Sequence, residues 1–226
     1  MSAAQRIWVT RTEPQAQVTA ARLRNLGLKP VVAPVLEART MADAVIDLTG
    51  VDAIAFTSGH GVQAFASLCA ERNLPAFAVG DTTAELARKA GFTEVTISNG
   101  GAQGLARAVG AAQPKPGLVL NPAAMEPSAD MQALLAAQGV AARIVAVYRT
   151  APAGPEQVPP DVDGVLIHSA KAARLVARMI SPAQAPAMSV FAISEAAAAP
   201  LRGLPFASIA AAPFPDEASL LNLLQG

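Results

Sequence analysis

The residues best suited to chemistry lie in short polar loops that follow apolar runs. Thr57-Ser58-Gly59-His60 follows one run, and Ser169-Ala170-Lys171 follows another. Asp81-Thr82-Thr83 and Ser194-Glu195-Ala196 follow two more. Arg11 and Asn121 each come at the end of a further run. Hydroxyls, small residues that leave backbone N–H groups open, and an occasional cation are what a bound anion requires. The same residue types cap helices, so Ser58, Asp81, Thr82, Ser169 and Ser194 each also read as an ordinary N-cap. His60 and Lys171 both stand two residues after a serine, and each offers a potential cation at a matching place. Arg11 suits a carboxylate. Tyr148 is the only tyrosine in the chain. A lone phenol packs as an amphipathic residue, or gives a proton to a leaving group.

The elements that must carry these loops are written twice. Asp52-Ala-Ile-Ala-Phe-Thr-Ser58 returns as Asp163-Gly-Val-Leu-Ile-His-Ser169. Ile7-Trp-Val-Thr10, Leu36–Thr40 and Phe77–Gly80 return as Leu118–Asn121, Ala146–Thr150 and Phe191–Ser194. The offset is about 111 residues throughout, which means a duplicated domain-sized unit and not a solenoid of short repeats. Short apolar runs alternate with helical patterns, the mark of parallel α/β architecture. Strands are expected over Ile7–Thr10, Val51–Thr57, Ala76–Gly80 and Leu118–Asn121. Helices are expected over Pro14–Leu26, Gly61–Arg72, Thr82–Ala90 and Ser128–Gln138. Pro30–Thr40 and Ala142–Thr150 read as long strands at equivalent places in the two repeats. Ala151–Asp161, with four prolines, reads as a linker. Two similar lobes imply a cleft, and in parallel α/β folds ligands bind beyond the strands' C-terminal ends. A cut near residue 116 is the simplest division. The two long strands favour another: a discontinuous lobe of residues 1–36 plus 151–226, a lobe of 41–143, and strands 37–40 and 144–150 joining them. The repeat alone does not decide between these.

Composition excludes several classes. The chain has 226 residues, 52% hydrophobic but only 4% aromatic, with 17 basic and 17 acidic side chains. A formal net charge of zero argues against a nucleic-acid partner held by a basic surface. Cys69 is the single cysteine, so no intrachain disulfide forms. His60 and His168 lack ligand spacing, and no metal site is expected. Met1 to Arg6 carries no apolar signal core, and no stretch of about 18 residues is free of charge and proline. A cytoplasmic, monomeric protein with a small-molecule substrate is expected. Glycine-rich nucleotide fingerprints and catalytic-serine motifs are missing. From the residues alone the chain is a two-lobed binder of something anionic, without a defined reaction.

The chain also resembles the uroporphyrinogen-III synthase family. The resemblance rests on Val9-Thr-Arg-Thr-Glu-Pro-Gln15, Pro34-Val-Leu36, Asp52–Ser58, Ala78-Val-Gly-Asp-Thr-Thr-Ala84 with Ala90-Gly-Phe92, and Val145-Ala-Val-Tyr-Arg-Thr150. It runs from Ile7 to the last helix. It implies two α/β lobes joined by a pair of strands, one lobe discontinuous in sequence. It implies hydroxymethylbilane, a linear tetrapyrrole with eight carboxylates, as substrate, and no cofactor. The implied reaction loses the terminal hydroxyl and closes the ring through a spiro intermediate that inverts the last pyrrole. By resemblance Tyr148 assists hydroxyl loss, Ser58 and Thr83 line the cleft, and Arg11 follows the first strand as in many bacterial members.

Two departures stand out. Ala196 and Ala197 replace hydroxyl residues common in the family, so only backbone N–H contacts remain to that loop. The loop after Asn121 lacks a frequent arginine or glycine. A catalytically inactive tetrapyrrole-binding or regulatory module is the alternative these suggest, and a nucleotide enzyme of two-lobed type is a third reading.

Overall fold

The structure is a computed structural model that describes residues 5–225. The polar start over Met1–Ala4 lies outside the described residues. The first half of the chain runs β1 (Arg6–Val9), α1 (Gln15–Asn25), β2 (Lys29–Val32), β3 (Leu36–Thr40), β4 (Ala53–Phe56) and α2 (Gly59–Leu68). It continues with β5 (Ala76–Val79), α3 (Gly80–Lys89), β6 (Val95–Ser98) and α4 (Gly101–Gly110). The second half runs β7 (Leu118–Ala124), α5 (Met131–Ala136), β8 (Ala141–Pro152), β9 (Gly164–Ile167) and α6 (Ala170–Met179). It ends with β10 (Ser189–Ala192), α7 (Glu195–Ala198), β11 (Ser208–Ala211) and α8 (Glu217–Asn222).

Two compact units result, Met1–Glu37 with Ala151–Gly226, and Ala38–Thr150. The first holds a parallel five-stranded sheet in the order β11-β10-β9-β1-β2. The second holds a six-stranded sheet in the order β3-β8-β7-β4-β5-β6, parallel from β8 to β6. Aligned through the repeat, the two orders match over five strands: β9 corresponds to β4, β1 to β7 and β2 to β8, and β3 adds a sixth strand beside β8. The five-stranded sheet takes β1 and β2 from the first copy of the repeat and three strands from the second, while the six-stranded sheet takes β3 to β6 from the first copy and β7 and β8 from the second.

Both sheets bury both faces, as parallel sheets must. In the first unit Trp8, Val165, Ile167 and Val190 face α6, with Ala173 and Val176 against them. Ile7, Val9 and Leu166 face the other way, toward Leu23 of α1 and Leu220 of α8. In the second unit Ala53, Ala55, Phe77 and Val119 pack on Leu105, Val109 and Leu135. Ile54, Phe56 and Leu120 pack on Val62, Phe65, Ala87 and Phe92. Each fully buried Leu, Ile or Phe contributes roughly 1.5–3 kcal/mol.

The repeat also survives in polar detail. Asp163 Oδ2 accepts the Arg6 N–H at 2.7 Å, and Asp52 Oδ2 accepts the matching Gly117 N–H at 2.8 Å. At the strands' other ends Thr10 Oγ1 donates to the Leu166 carbonyl, and Asn121 Nδ2 donates to the matching Ala55 carbonyl, both at 2.6 Å. Every one of these bonds joins a strand of one copy to a strand of the other.

Three expectations need correction. Pro30–Thr40 is not one strand. It divides into β2 and β3, which belong to different sheets. Pro34 has no N–H to continue a ladder, and the Ala33 carbonyl is taken by Trp8 Nε1 at 2.7 Å. The strand expected to end at Asn121 continues to Ala124. Helix α3 begins at Gly80, whose φ of 69° turns the chain directly out of β5, so no loop separates strand from helix.

Helix α2 lies close against β7. A Cβ on Gly61 would stand 2.6 Å from the Pro122 carbonyl oxygen, a backbone atom that cannot swing away. Gly61→Ala is expected to lower stability by about 1–3 kcal/mol despite alanine's better helix propensity. Urea denaturation followed by circular dichroism checks this. An unchanged midpoint would show that α2 shifts freely on β7.

Candidate functional site

In the second unit the polar groups gather where β4 meets α2. Ser58 caps α2 through its Oγ, which accepts the Gly61 N–H at 3.2 Å. The same oxygen lies 2.9 Å from Tyr148 Oη. Tyr148 is 8% exposed and sits on β8 among Ala64, Val147, Ala38 and Leu68. Its own carbonyl accepts the Met125 N–H at 2.8 Å. The His60 ring packs 5.6 Å from the phenol ring, centroid to centroid. Burial lowers the His60 pKa below the usual imidazole value, against an opposing hydrogen bond with Gln63. That direction disfavours the charged form that a cationic role for His60 requires. Thr57 is half-buried beside this group and Gly59 is buried under it.

Thr82 and Thr83 lie within the first turn of α3, not in a preceding loop. Thr82 is exposed and Thr83 is buried. Asn121, expected at the end of its strand, lies within β7 and is 1% exposed, with its amide committed to Ala55. It still borders a cavity of about 360 Å³ that Ser128, Asp130, Met131 and Ile144 also line.

In the first unit Ser169 caps α6 by accepting the Ala172 N–H at 3.1 Å, with Ala170 and Lys171 half-buried in the first turn. Ser194 caps α7 by accepting the Ala197 N–H at 3.3 Å. Ala196 and Glu195 are exposed. The Glu195 carboxylate is gripped by Arg202 through two bonds of 2.6 Å. That fork makes the Glu195 side chain a paired surface anion.

Arg11 has partners the sequence did not disclose. Its Nη1 donates to Glu217 Oε2 at 2.7 Å and to Thr19 Oγ1 at 3.3 Å. His168 Nε2 lies 3.1 Å from the same Glu217 oxygen, and Thr19 donates to Oε1. Burial opposes the Glu217 charge, but the hydrogen bonds of His168 and Thr19 and the neighbouring Arg11 outweigh it, and its pKa falls to about 2. Burial also lowers the His168 pKa, despite the Glu217 hydrogen bond. The one available signal was a break in the repeat, since His168 stands where the first copy has Thr57.

The family model described as uroporphyrinogen-III synthase HemD matches residues 17–222. The chain belongs to the uroporphyrinogen-III synthase family. It is accordingly a cyclising lyase of tetrapyrrole biosynthesis, converting hydroxymethylbilane to uroporphyrinogen III with inversion of the terminal ring. Among solved structures it is similar to uroporphyrinogen-III synthetase from Helicobacter pylori, at 16% identity and a TM-score of 0.62, with 99% of each chain covered. It is also similar to a mutant synthase from Thermus thermophilus, at 17% identity and a TM-score of 0.48, covering 99% of this chain and 97% of that one. At 16% identity the likeness to the Helicobacter pylori structure speaks for the fold. No curated protein matches the chain. Among the described residues no group of His, Cys, Asp and Glu is arranged to hold a metal, and no helix is long and apolar enough to cross a membrane.

Glu217 links this site to acid stability. Its folded pKa of about 2 lies below the ordinary value of 4.5, so its stabilisation is complete above pH 4.5 and vanishes as pH falls toward 2. The shift corresponds to stabilisation on the order of 3 kcal/mol. His168 acts in the same sense: the unfolded chain takes up a proton near pH 6.5 that the folded imidazole resists. Glu217→Gln is expected to lose stability at pH 7 and to converge on the parent protein as pH falls from 4.5. Urea titrations at stepped pH check this, and a gap independent of pH would contradict it.

Proposed function

We propose that Tyr148 is the acid that releases the hydroxyl of hydroxymethylbilane, and that Ser58 aims it. The supporting observation is the 2.9 Å Ser58–Tyr148 contact on a serine already accepting the Gly61 N–H. With that lone pair used, the Ser58 proton is free to point at the phenol oxygen. The phenol proton is then left for the substrate. The pyrrole nitrogen pair expels the hydroxyl, which leaves as water with that proton. The carbon left behind is the electrophile that the last pyrrole attacks. The proton lost when the ring finally closes restores the phenol. Burial of Tyr148 among apolar side chains keeps competing water from the phenol.

The substrate's carboxylates are held at the C-terminal ends of the strands, by Arg11 and Lys171 and by backbone N–H groups near Thr57 to His60, Thr82, Thr83, Asn121, Ser169, Ala170, Ser194 and Ala196. Open N–H groups hold anions without a large protein charge, in keeping with a formal net charge of zero. The same neutrality speaks against a nucleic-acid partner held by a basic surface.

Tyr148→Phe keeps the packing and removes the proton. It is expected to lower kcat about 10- to 1000-fold. Ser58→Ala is expected to lower kcat by a smaller factor, and to cost about 1 kcal/mol of stability through the lost cap. Turnover assays with hydroxymethylbilane, paired with thermal denaturation, check both. Unchanged kcat in Tyr148→Phe would return the phenol to a packing role.

A further inference from the structure

The Arg11 cluster contains more than an ion pair needs. Glu217 Oε2 serves both Arg11 Nη1 and His168 Nε2, and Oε1 takes the Thr19 hydroxyl. With Nε2 facing a carboxylate, the imidazole carries its proton there and Nδ1 is a bare acceptor. That Nδ1 is buried with no hydrogen-bond partner among the described residues. An unsatisfied buried polar atom is destabilising. The first copy of the repeat avoids it with Thr57. The arrangement therefore carries a cost that the first copy does not.

Its geometry does something else. Both of these Arg11 bonds use Nη1, so the cluster holds the guanidinium without using the edge formed by Nε and Nη2. The Arg11 side chain is 28% exposed, while Glu217 is 15% and His168 9% exposed. The arginine is thus the most exposed member of the cluster, and the threonine is fully buried. Arg11 lies just past β1 and His168 just past β9, adjacent strands whose C-terminal ends are the ligand-binding end of a parallel sheet. A planar guanidinium held by one nitrogen presents the other two as a preset fork for a carboxylate.

We propose that Glu217, itself held by His168 and Thr19, is a positioning residue that fixes Arg11 so that its free edge receives a carboxylate of the tetrapyrrole substrate. This rests on the synthase reading above. Preorganisation removes the entropy of ordering a long side chain on binding. The effect belongs to substrate affinity, because the contact is the same before and during the reaction.

The test is steady-state kinetics with hydroxymethylbilane on the parent chain, Arg11→Ala, Glu217→Gln, His168→Thr and the double variant Arg11→Ala/Glu217→Gln, with thermal denaturation to confirm folding. Arg11→Ala is expected to raise KM about 10-fold or more, with kcat within about twofold. Glu217→Gln should raise KM about 3- to 10-fold, and the double variant should match Arg11→Ala alone. His168→Thr restores the first copy's residue, and should raise KM in the same direction if Glu217→Gln does not fold. A purely structural role would lower the active fraction, and hence apparent kcat, without moving KM. Unmoved KM in Glu217→Gln, or in His168→Thr should the former not fold, overturns the positioning role, as does a Glu217→Gln effect that adds to Arg11→Ala. If the parent chain forms only the uninverted type I product, the synthase reading fails first and takes this proposal with it.

Discussion

The pairing of β1 with β9 and of β4 with β7 is the constraint on which everything else hangs. These contacts join the two copies of the repeat at the centre of each sheet. Neither copy completes a sheet alone: the first supplies β1 and β2 to one and β3 to β6 to the other. The exchange is fixed at both ends of the central strands. Asp163 and Asp52 hold the N-terminal ends, and Thr10 and Asn121 the C-terminal ends. Every candidate site residue except Tyr148 and Asn121 lies in a turn or helix start beyond a strand. A slip in strand pairing would therefore misplace all of those at once.

The duplication supplies the scaffold, and the chemistry sits where the copies differ. Tyr148 stands on β8 where the first copy has Ala38, and it meets Ser58, which caps a helix in both copies. His168 stands where the first copy has Thr57, and it meets Glu217. A conserved cap becomes a means of aiming a phenol because one neighbour changed. A strand-end threonine becomes a histidine, and an arginine gains a fixed orientation.

Local pattern was legible in the sequence, and distant partnership was not. Apolar runs located the strands, and the repeat placed Asp52 with Asp163 and singled out Tyr148. Periodicity did not reveal that Pro34 would send one extended run into two sheets, because a missing N–H matters only once a neighbouring strand is known. The strand was expected to stop at Asn121 because proline follows it, yet Pro122 is accommodated within β7. Glu217 escaped notice because its partners lie 49 to 206 residues away in the chain. The Ser58–Tyr148 bond spans 90 residues and follows from sheet order alone. The desolvation that works against a charged His60 was hidden for a related reason: it depends on what packs around a ring, which composition does not specify.

The central claim is that this chain governs the direction of ring closure in a linear tetrapyrrole. The most direct measurement is the isomer ratio of the cyclised product, resolved chromatographically after oxidation, with purified protein and hydroxymethylbilane. The account predicts predominantly the type III isomer, while the protein-free control gives type I. A product that is type I in both would contradict it.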